Sequence, residues 1–225
     1  MTATAESRVV AIDGPSGSGK STIARGVAGE LHLRVLDTGA MYRAIALAVL
    51  EAGVALDDEP ACAALARKLD VRVEAGVTTL DGRDVSLEIR GPEVTAAVSS
   101  VSAHPEVRSV LVAHQREWVA GHGGGVVEGR DIGTVVFPAA PLKIFLTATD
   151  DERARRRQRD EVASERAVAV DDVRASMARR DQLDSNRPAS PLRAAADAVR
   201  IDTTTRGVTD IVAEVVTRAH EAGIG

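Results

Sequence analysis

The chain has 225 residues, of which 44% are hydrophobic and 27% charged, with a formal net charge of −5 at pH 7. This hydrophobic share excludes a disordered chain, the lack of a long apolar run excludes a membrane span, and the single cysteine, Cys62, excludes an internal disulfide. The acidic balance also argues against a general nucleic-acid binder. Residues 1–8 are polar and lack the apolar stretch of a signal peptide, so we expect a cytoplasmic protein.

Apolar runs bounded by glycine, proline and acidic residues predict strands that alternate with helices. In chain order the pattern gives strand 8–13, helix 20–31, strand 33–36, helices 40–50, 58–69, 92–103 and 105–120, strands 126–128 and 142–146, helices 150–160 and 171–181, strand 199–201 and helix 208–222. Each strand is nearly all apolar, which is typical of a parallel sheet covered by helices on both faces. The sequence therefore predicts the α/β class.

Residues 70–89 interrupt this rhythm. The segments 71–74, 77–80 and 85–87 alternate in period two, and Gly76 and Asp81-Gly82 supply turns between them. This pattern predicts a small antiparallel meander inserted into the α/β fold.

The segment Gly14-Pro-Ser-Gly-Ser-Gly-Lys-Ser21 matches G-x-x-x-x-G-K-[ST] between the first strand and the first helix. In such a loop, backbone N–H groups and the helix N-terminus bind phosphates, the lysine reaches the β- and γ-phosphates, and the last hydroxyl ligates Mg²⁺. The motif therefore predicts an NTP site in which Lys20 and Ser21 have these two roles. Switch GTPases and motor ATPases share this loop, but none of the three lysines follows an asparagine, as the N-K-x-D guanine motif requires.

Further polar residues follow other predicted elements. Asp37-Thr-Gly-Ala-Met-Tyr-Arg43 offers a hydroxyl, a helix N-terminus and an arginine, which suits a second phosphate as well as it suits an ordinary capped helix with Tyr42 in the core. Glu128-Gly-Arg-Asp131 follows a parallel strand, at the edge where α/β sheets bind ligands. The candidates at the end of the charged helix and in the expected loop 181–188 are Arg180, Asp184 and Arg187.

Together these segments resemble the bacterial cytidylate (CMP) kinases over the whole chain. The matching segments are 12–20, 36–43, 84–90, 128–137 and 185–188, in the family's order. The resemblance implies a P-loop fold of three α/β/α layers with a five-stranded parallel sheet, as a single domain over residues 1–225. It also implies a nucleoside-monophosphate-binding insert at about 58–104, which contains the meander, and a helical arginine-rich lid at about 153–170.

The resemblance further implies the residues of two nucleotide sites. The ATP site would comprise Gly14, Pro15, Ser16, Gly17, Ser18, Gly19, Lys20, Ser21 and Thr22, with Mg²⁺ held at Ser21. The CMP site would comprise Thr38, Arg43, Ser99, Arg108, Arg130, Asp131, Arg180, Asp184 and Arg187. The catalytic residues would be Lys20, Arg130, Arg153 and Arg157.

Within the implied CMP site, each type of side chain suits one part of the nucleotide. The cytosine would be read by Ser99, Arg108, Asp131 and Arg187, the ribose by Asp184, and the phosphate by Arg43, Arg130 and Arg180. Arginine suits the O2 and N3 acceptors of cytosine, and a carboxylate suits its exocyclic amine. The chain has Thr38 where some members of the family have serine, and Glu128 where others have aspartate, so the role of Glu128 stays open.

The arginines of the predicted lid are Arg153, Arg155, Arg156, Arg157 and Arg159. They lie on a charged helix, and we expect a loose stretch after it, to about residue 168. Such a lid would close over ATP and exclude water, with Arg153 and Arg157 facing inward. The same helix also suits a surface position, with the i,i+4 ion pairs Asp151–Arg155 and Glu152–Arg156, and both interpretations can hold together.

The resemblance implies an enzyme that transfers the γ-phosphate of ATP to CMP and dCMP, with Mg²⁺, in pyrimidine metabolism. The alternatives are a P-loop kinase for another small acceptor, such as UMP, AMP or shikimate, and an ATP-gated binding module. The pyrimidine-matched residues disfavour AMP, and a second anion site beside a lid disfavours a sensor. We expect ATP and CMP or dCMP as partners, no nucleic acid, no membrane, and a monomer.

Overall fold

The computed structural model describes residues 5–163 and 170–225. The strands of its main sheet are β1 (Val9–Asp13), β2 (Val35–Asp37), β6 (Gly125–Gly129), β7 (Leu142–Thr147) and β8 (Val199–Asp202). All five are parallel and lie in the order β2-β6-β1-β7-β8, so that β1 is central and fully buried. The predicted five-stranded parallel sheet is confirmed.

Helices cover both faces of this sheet. In the described residues the α-helices are α1 (Lys20–Glu30), α2 (Thr38–Glu51), α3 (Glu59–Lys68), α4 (Pro92–Val101), α5 (Pro105–His122), α6 (Asp150–Ala163), α7 (Val170–Asn186) and α8 (Val208–Glu221). Val9 and Ala11 of β1 pack in the core of α2 to α5, whereas Val10 and Ile12 pack in the core of α1 and α8. In the ranges that the structure covers, no helix combines the length and apolarity needed to cross a membrane.

A separate antiparallel sheet lies between α3 and α4. It consists of β3 (Val71–Glu74), β4 (Val77–Leu80) and β5 (Arg83–Asp84), which confirms the predicted meander. The third strand is wrong in position, because 85–87 is not a strand. The Asp84 carboxylate accepts hydrogen bonds from the N–H and hydroxyl of Ser86, and this local turn competes with sheet pairing. The boundaries of the insert and of the lid stay predictions.

Helix α7 runs to Asn186, so the expected loop at 181–188 is wrong over 181–186. No glycine or proline interrupts 171–186, and Pro188 disfavours a helical backbone at Arg187. As a result Arg180 and Asp184 lie about one turn apart on one helix, and Arg187 follows its end. The charged helix expected at 150–160 continues to Ala163, so the stretch expected to be loose does not begin at 161. The rest of that stretch, 164–168, lies outside the described residues.

A short π-helix, Ile132–Val136, follows β6, and the sequence pattern does not predict it. The carboxylate of Asp13, at the end of β1, accepts hydrogen bonds from the N–H groups of Ile132 and Gly133, both at 2.8 Å. This carboxylate therefore ties the chain just after Arg130 and Asp131 to the central strand. Burial raises the pKa of Asp13 to about 6.

We predict that Asp13→Ala lowers the free energy of unfolding by about 2 kcal/mol at pH 5, because two buried N–H groups lose their acceptor. Folding raises the pKa of Asp13 from 3.8 to about 6, so the native state binds this proton more tightly than the unfolded chain does. The contribution of Asp13 to stability therefore decreases as the pH rises through this window, and the variant should lose less at pH 8. Urea denaturation at both pH values measures this, and a larger loss at pH 8 would contradict it.

Candidate active site

A cleft of about 890 Å³ lies at the edge of the main sheet where β1, β2 and β6 end. Its wall is formed by the phosphate loop with the start of α1, the start of α2, the residues after β6, and parts of α4 to α7 and of the segment 203–211. Side chains from most layers of the fold therefore face one space. This is the position in which open α/β sheets bind ligands.

The phosphate loop has the backbone that the motif requires. Gly14 has φ +151°, and a Cβ there would lie 2.3 Å from the Leu146 carbonyl oxygen; Gly17 has φ +73°. The cap of α1 is Gly19, which leaves the first N–H groups of this helix without a side-chain cap and available to an anion. Lys20 Nζ donates to the Pro15 carbonyl oxygen at 2.8 Å across the loop, and burial, followed by the charge of Arg130, lowers the Lys20 pKa to about 7.

Oxygen atoms collect beside the loop. Ser21 Oγ donates to Glu128 Oε2 at 2.8 Å, and Thr38 Oγ1 donates to the Glu128 carbonyl oxygen at 2.7 Å. Burial, followed by the nearby Asp37, raises the pKa of Glu128 to about 7. Among the described residues, no group of three or more histidine, cysteine, aspartate or glutamate side chains is arranged to hold a metal by itself.

Four arginines line the middle of the cleft: Arg43, Arg130, Arg157 and Arg180. Burial and the charges of Arg180 and Arg157 lower the pKa of Arg43 to about 9. Burial and the charge of Arg130 lower the pKa of Arg180 to about 10. These cations destabilise each other unless an anion lies between them, so the cluster is suited to phosphate groups.

A second polar group lies at the end of the cleft beyond these arginines. Arg108 Nη2 donates to Asp131 Oδ2, and Arg187 Nη2 lies 3.7 Å from Asp131 Oδ1. The Arg108 guanidinium lies 5.1 Å from the ring centre of Tyr42, and Tyr42 both lines the cleft and packs in the core. Arg130 Nε donates to Asp184 Oδ2 at 3.0 Å, and Arg130 is one of the four arginines in the middle of the cleft. The result is a small pocket with donors and one carboxylate.

A family model described as cytidylate kinase matches residues 10–221. The chain belongs to the cytidylate kinase family. It is 52% identical over 211 residues to a cytidylate kinase of Nocardia farcinica (strain IFM 10152), which covers 92% of this chain and 91% of that protein. It is 46% identical over 210 residues to a cytidylate kinase of Desulfitobacterium hafniense (strain Y51), with 92% and 90% covered.

A likeness in fold alone is found to a solved structure. An uncharacterized protein from Eubacterium ventriosum ATCC 27560 has a TM-score of 0.54 to this chain, and 95% of this chain and 98% of that chain are covered. The two are only 13% identical, so the likeness concerns the arrangement of elements and not the chemistry.

Most residues that the cytidylate kinase resemblance implies come together in the cleft. Those in its lining are Ser16, Gly17, Ser18, Gly19, Lys20, Ser21, Thr22, Thr38, Arg43, Arg108, Arg130, Asp131, Arg157, Arg180, Asp184 and Arg187. Gly14 and Pro15 belong to the phosphate loop but do not line the cleft. The helix at Asp37 is capped, since Asp37 Oδ1 accepts from the Ala40 N–H at 3.1 Å, and its start also lines the cleft. Binding of a phosphate by this segment stays a prediction.

Ser99 is not brought to the cleft. It lies half-buried in α4, whereas Ser102, the residue that ends this helix, lines the cleft. Ser102 Oγ donates to the Ser99 carbonyl oxygen at 3.3 Å, and the Ser102 carbonyl accepts from Arg108 Nη1 at 3.2 Å. A role of Ser99 in binding the base therefore stays a prediction, and Ser102 is the serine that lines the cleft. The sequence offers two serines three residues apart, and its pattern does not tell which one faces the cleft. The structure distinguishes them, because Ser99 lies within α4 and Ser102 follows the end of this helix.

Of the two arginines expected to face inward from α6, Arg153 and Arg157, only one lines the cleft. Arg157 lines the cleft together with Arg156 and Arg159, but Arg153 does not. The guanidinium of Arg153 instead lies behind the phosphate loop, where it donates to the Ser16 carbonyl oxygen at 2.9 Å. Arginines occur on every side of this helix, so its sequence pattern does not tell which of them faces the ligand.

The expected ion pairs of α6 are found in part. The Glu152–Arg156 pair is present at 2.9 Å. Asp151 pairs with Arg174 of α7 at 2.9 Å instead of with Arg155, because α6 and α7 pack against each other. Sequence spacing identifies partners within one helix and misses those on the next one.

We predict that Arg108→Met lowers the free energy of unfolding by about 3 kcal/mol, because it leaves the buried Asp131 carboxylate without its principal partner. Only 5% of each side chain of this pair is exposed. Arg67→Met is the matched control, because Arg67 pairs with Glu106 at 2.5 Å while 55% and 53% of these side chains are exposed. The control should cost less than about 1 kcal/mol. Equal losses in urea denaturation would contradict the prediction.

Proposed function

We propose that this chain transfers the γ-phosphate of ATP to CMP, and also to dCMP. The observation that carries the proposal is the buried cationic cluster between the phosphate loop and the small polar pocket. The pKa values of Lys20, Arg43 and Arg180 are all lowered, which favours binding of anions on both sides of the cluster. Family membership identifies these anions as the phosphates of a donor and an acceptor nucleotide.

The acceptor base fits the small polar pocket. Cytosine offers O2 and N3 as acceptors and an exocyclic amine as a donor, which Arg108, Arg187 and the Asp131 carboxylate complement. A hydroxyl is available from Ser102 at the same end of the cleft. In this proposal Asp184 accepts a hydrogen bond from the ribose, since it is buried beside the pocket.

The acceptor phosphate fits the middle of the cleft. Arg43, Arg130 and Arg180 would hold it, because planar guanidinium groups match phosphate oxygens in pairs. An α-phosphate oxygen of CMP is ionised at pH 7 and can attack without a general base. The chain therefore needs to overcome the repulsion of two polyanions rather than to move a proton.

The donor phosphates fit the loop at the start of α1. The N–H groups there and Lys20 would bind them, and Arg157 from α6 would offset charge on the transferring group. Arg156 and Arg159 lie on the same wall and would help to exclude water, which competes with CMP as an acceptor. The catalytic residues we propose are Lys20, Arg130 and Arg157.

The oxygen atoms beside the loop fit Mg²⁺. The Ser21 hydroxyl donates a hydrogen bond to the Glu128 carboxylate, and Mg²⁺ prefers such oxygen ligands together with phosphate oxygens and water. The raised pKa of Glu128 indicates a buried carboxylate that a cation would stabilise. Ser21 and Glu128 would hold the ion, directly or through water. When bound, Mg²⁺ supplies positive charge to the donor phosphates.

We predict that ADP release from ATP and Mg²⁺ depends on CMP or dCMP. UMP should react at least about tenfold more slowly, because the Asp131 carboxylate can accept from the amine of cytosine but not from the O4 of uracil. A coupled ADP assay with CMP, dCMP, UMP, AMP and shikimate measures this.

The assay also separates the alternatives. ADP release with CMP that is no faster than without an acceptor would overturn the proposal. Faster release with UMP or shikimate would instead favour a kinase for that acceptor, and slow release independent of every acceptor would favour an ATP-gated binding module.

We predict that Arg187→Ala weakens CMP binding by about 10- to 100-fold and ATP binding less than about twofold, since a hydrogen bond to a charged group contributes about 1.5–3 kcal/mol. The control is Arg193→Ala, an exposed arginine outside the lining of the cleft, which should change neither. Calorimetric titration of each nucleotide measures both affinities. An equal loss for both nucleotides would contradict a role of Arg187 in binding the base.

A further inference from the structure

Two side chains, one from α6 and one from α7, bind the backbone of one residue in the phosphate loop. Asp181 Oδ1 of α7 accepts a hydrogen bond from the Ser16 N–H at 3.3 Å. Arg153 Nη1 of α6 donates to the carbonyl oxygen of the same Ser16 at 2.9 Å. Arg153 Nη1 also donates to Asp181 Oδ2, so the three groups form a closed ring of contacts. Both polar groups of the Ser16 backbone are therefore held by α6 and α7.

The next residue of the loop fits tightly against the same two helices. A Cβ at Gly17 would lie 2.8 Å from the Arg153 carbonyl oxygen and 2.9 Å from Met177 Cε. The tip of the loop is thus enclosed by α6 on one side and α7 on the other. A shift of either helix would move the loop, because no free space separates them.

Neither Arg153 nor Asp181 lines the cleft, so neither is placed to touch a nucleotide. Their side chains are only 10% and 15% exposed, and Arg153 Nη2 forms a further ion pair with Asp150 at 2.6 Å. Removing both charges from water costs free energy, so a buried ion pair by itself adds little to the stability of the fold. Its geometry instead fixes a conformation, here that of the loop which binds the donor phosphates.

The same stretch of α7 carries acceptor residues. Arg180 precedes Asp181 directly, and Asp184 follows within one turn; both line the cleft. Adjacent residues of one helix therefore contact the acceptor part of the cleft and the backbone of the donor loop.

We propose that Arg153 and Asp181 are positioning residues that clamp the phosphate loop at Ser16 and fix the donor phosphates relative to α7. The assignment of the two parts of the cleft to donor and acceptor rests on the proposed function. The clamp itself acts on the backbone of the loop. Its loss should therefore weaken donor binding and leave the acceptor pocket intact.

The test uses the full chain and the variants Arg153→Met, Asp181→Asn and both together, which keep side-chain volume and remove the charges. The probe is an ATP analogue with a methylene group between the β- and γ-phosphorus atoms, with Mg²⁺. Its affinity and that of CMP are measured separately by calorimetric titration. The matched control is Arg155→Met on the same helix, whose side chain is 66% exposed and lies 3.8 Å from Glu152.

We expect each single variant to bind the analogue about tenfold more weakly, a change of about 1.4 kcal/mol. CMP affinity should change less than about twofold, and the double variant should lose little more than either single one, because the two residues act as one unit. Arg155→Met should match the wild type. Thermal unfolding of each variant identifies any loss of fold, and Arg153→Lys, which keeps the charge, replaces Arg153→Met if the latter does not fold.

The clamp is overturned if analogue binding is unchanged in the folded variants, if CMP affinity falls as much as analogue affinity, or if the two losses add in the double variant. These measurements involve no turnover. The clamp can therefore be overturned while the wild type still phosphorylates CMP. Conversely, a wild type that does not phosphorylate CMP would overturn the proposed function and leave the comparison of analogue affinities valid.

Discussion

The crowding of buried cations is the constraint on which the site depends. Lys20, Arg43 and Arg180 have lowered pKa values because they are removed from water and because other arginines lie close by. A protein can maintain such a cluster only if the surrounding fold is rigid and a polyanion completes it. In the proposed function, two nucleotides whose phosphates meet in the middle of the cleft would provide that completion.

Single carboxylates hold the cations in separate places. Asp131 binds Arg108 at the small polar pocket, Asp184 binds Arg130 in the middle of the cleft, and Asp181 binds Arg153 behind the phosphate loop. These carboxylates orient the guanidinium groups that they bind, and Asp131 and Asp184 also lie 3.7 Å and 3.9 Å from Arg187, so the arginines face different parts of the cleft and do not simply repel. The edge of the parallel sheet contributes to this arrangement, because β1 and β2 both pair with β6 and the three strands end side by side.

The acidic total of the chain is compatible with this cationic cleft. The net charge is −5, yet arginines from α2, α6, α7 and the segment after β6 face one space. Charges in water are screened beyond about 8 Å at physiological ionic strength, whereas buried charges are screened much less. Nucleotide binding therefore depends on the local arrangement and not on the sum over the surface.

The sequence by itself determined the sheet, the meander and the phosphate loop, because strand period, turn residues and the spacing of Gly14 to Ser21 are local properties of the chain. Resemblance added the set of acceptor residues. Tertiary structure decided which side chains line the cleft: Arg157 but not Arg153 of the set, and Ser102, which the set does not include, but not Ser99. It also decided the π-helix after β6 and the clamp on Ser16. These features depend on contacts between residues more than a hundred positions apart, such as Asp13 with Ile132 and Ser16 with Asp181, which no local pattern encodes.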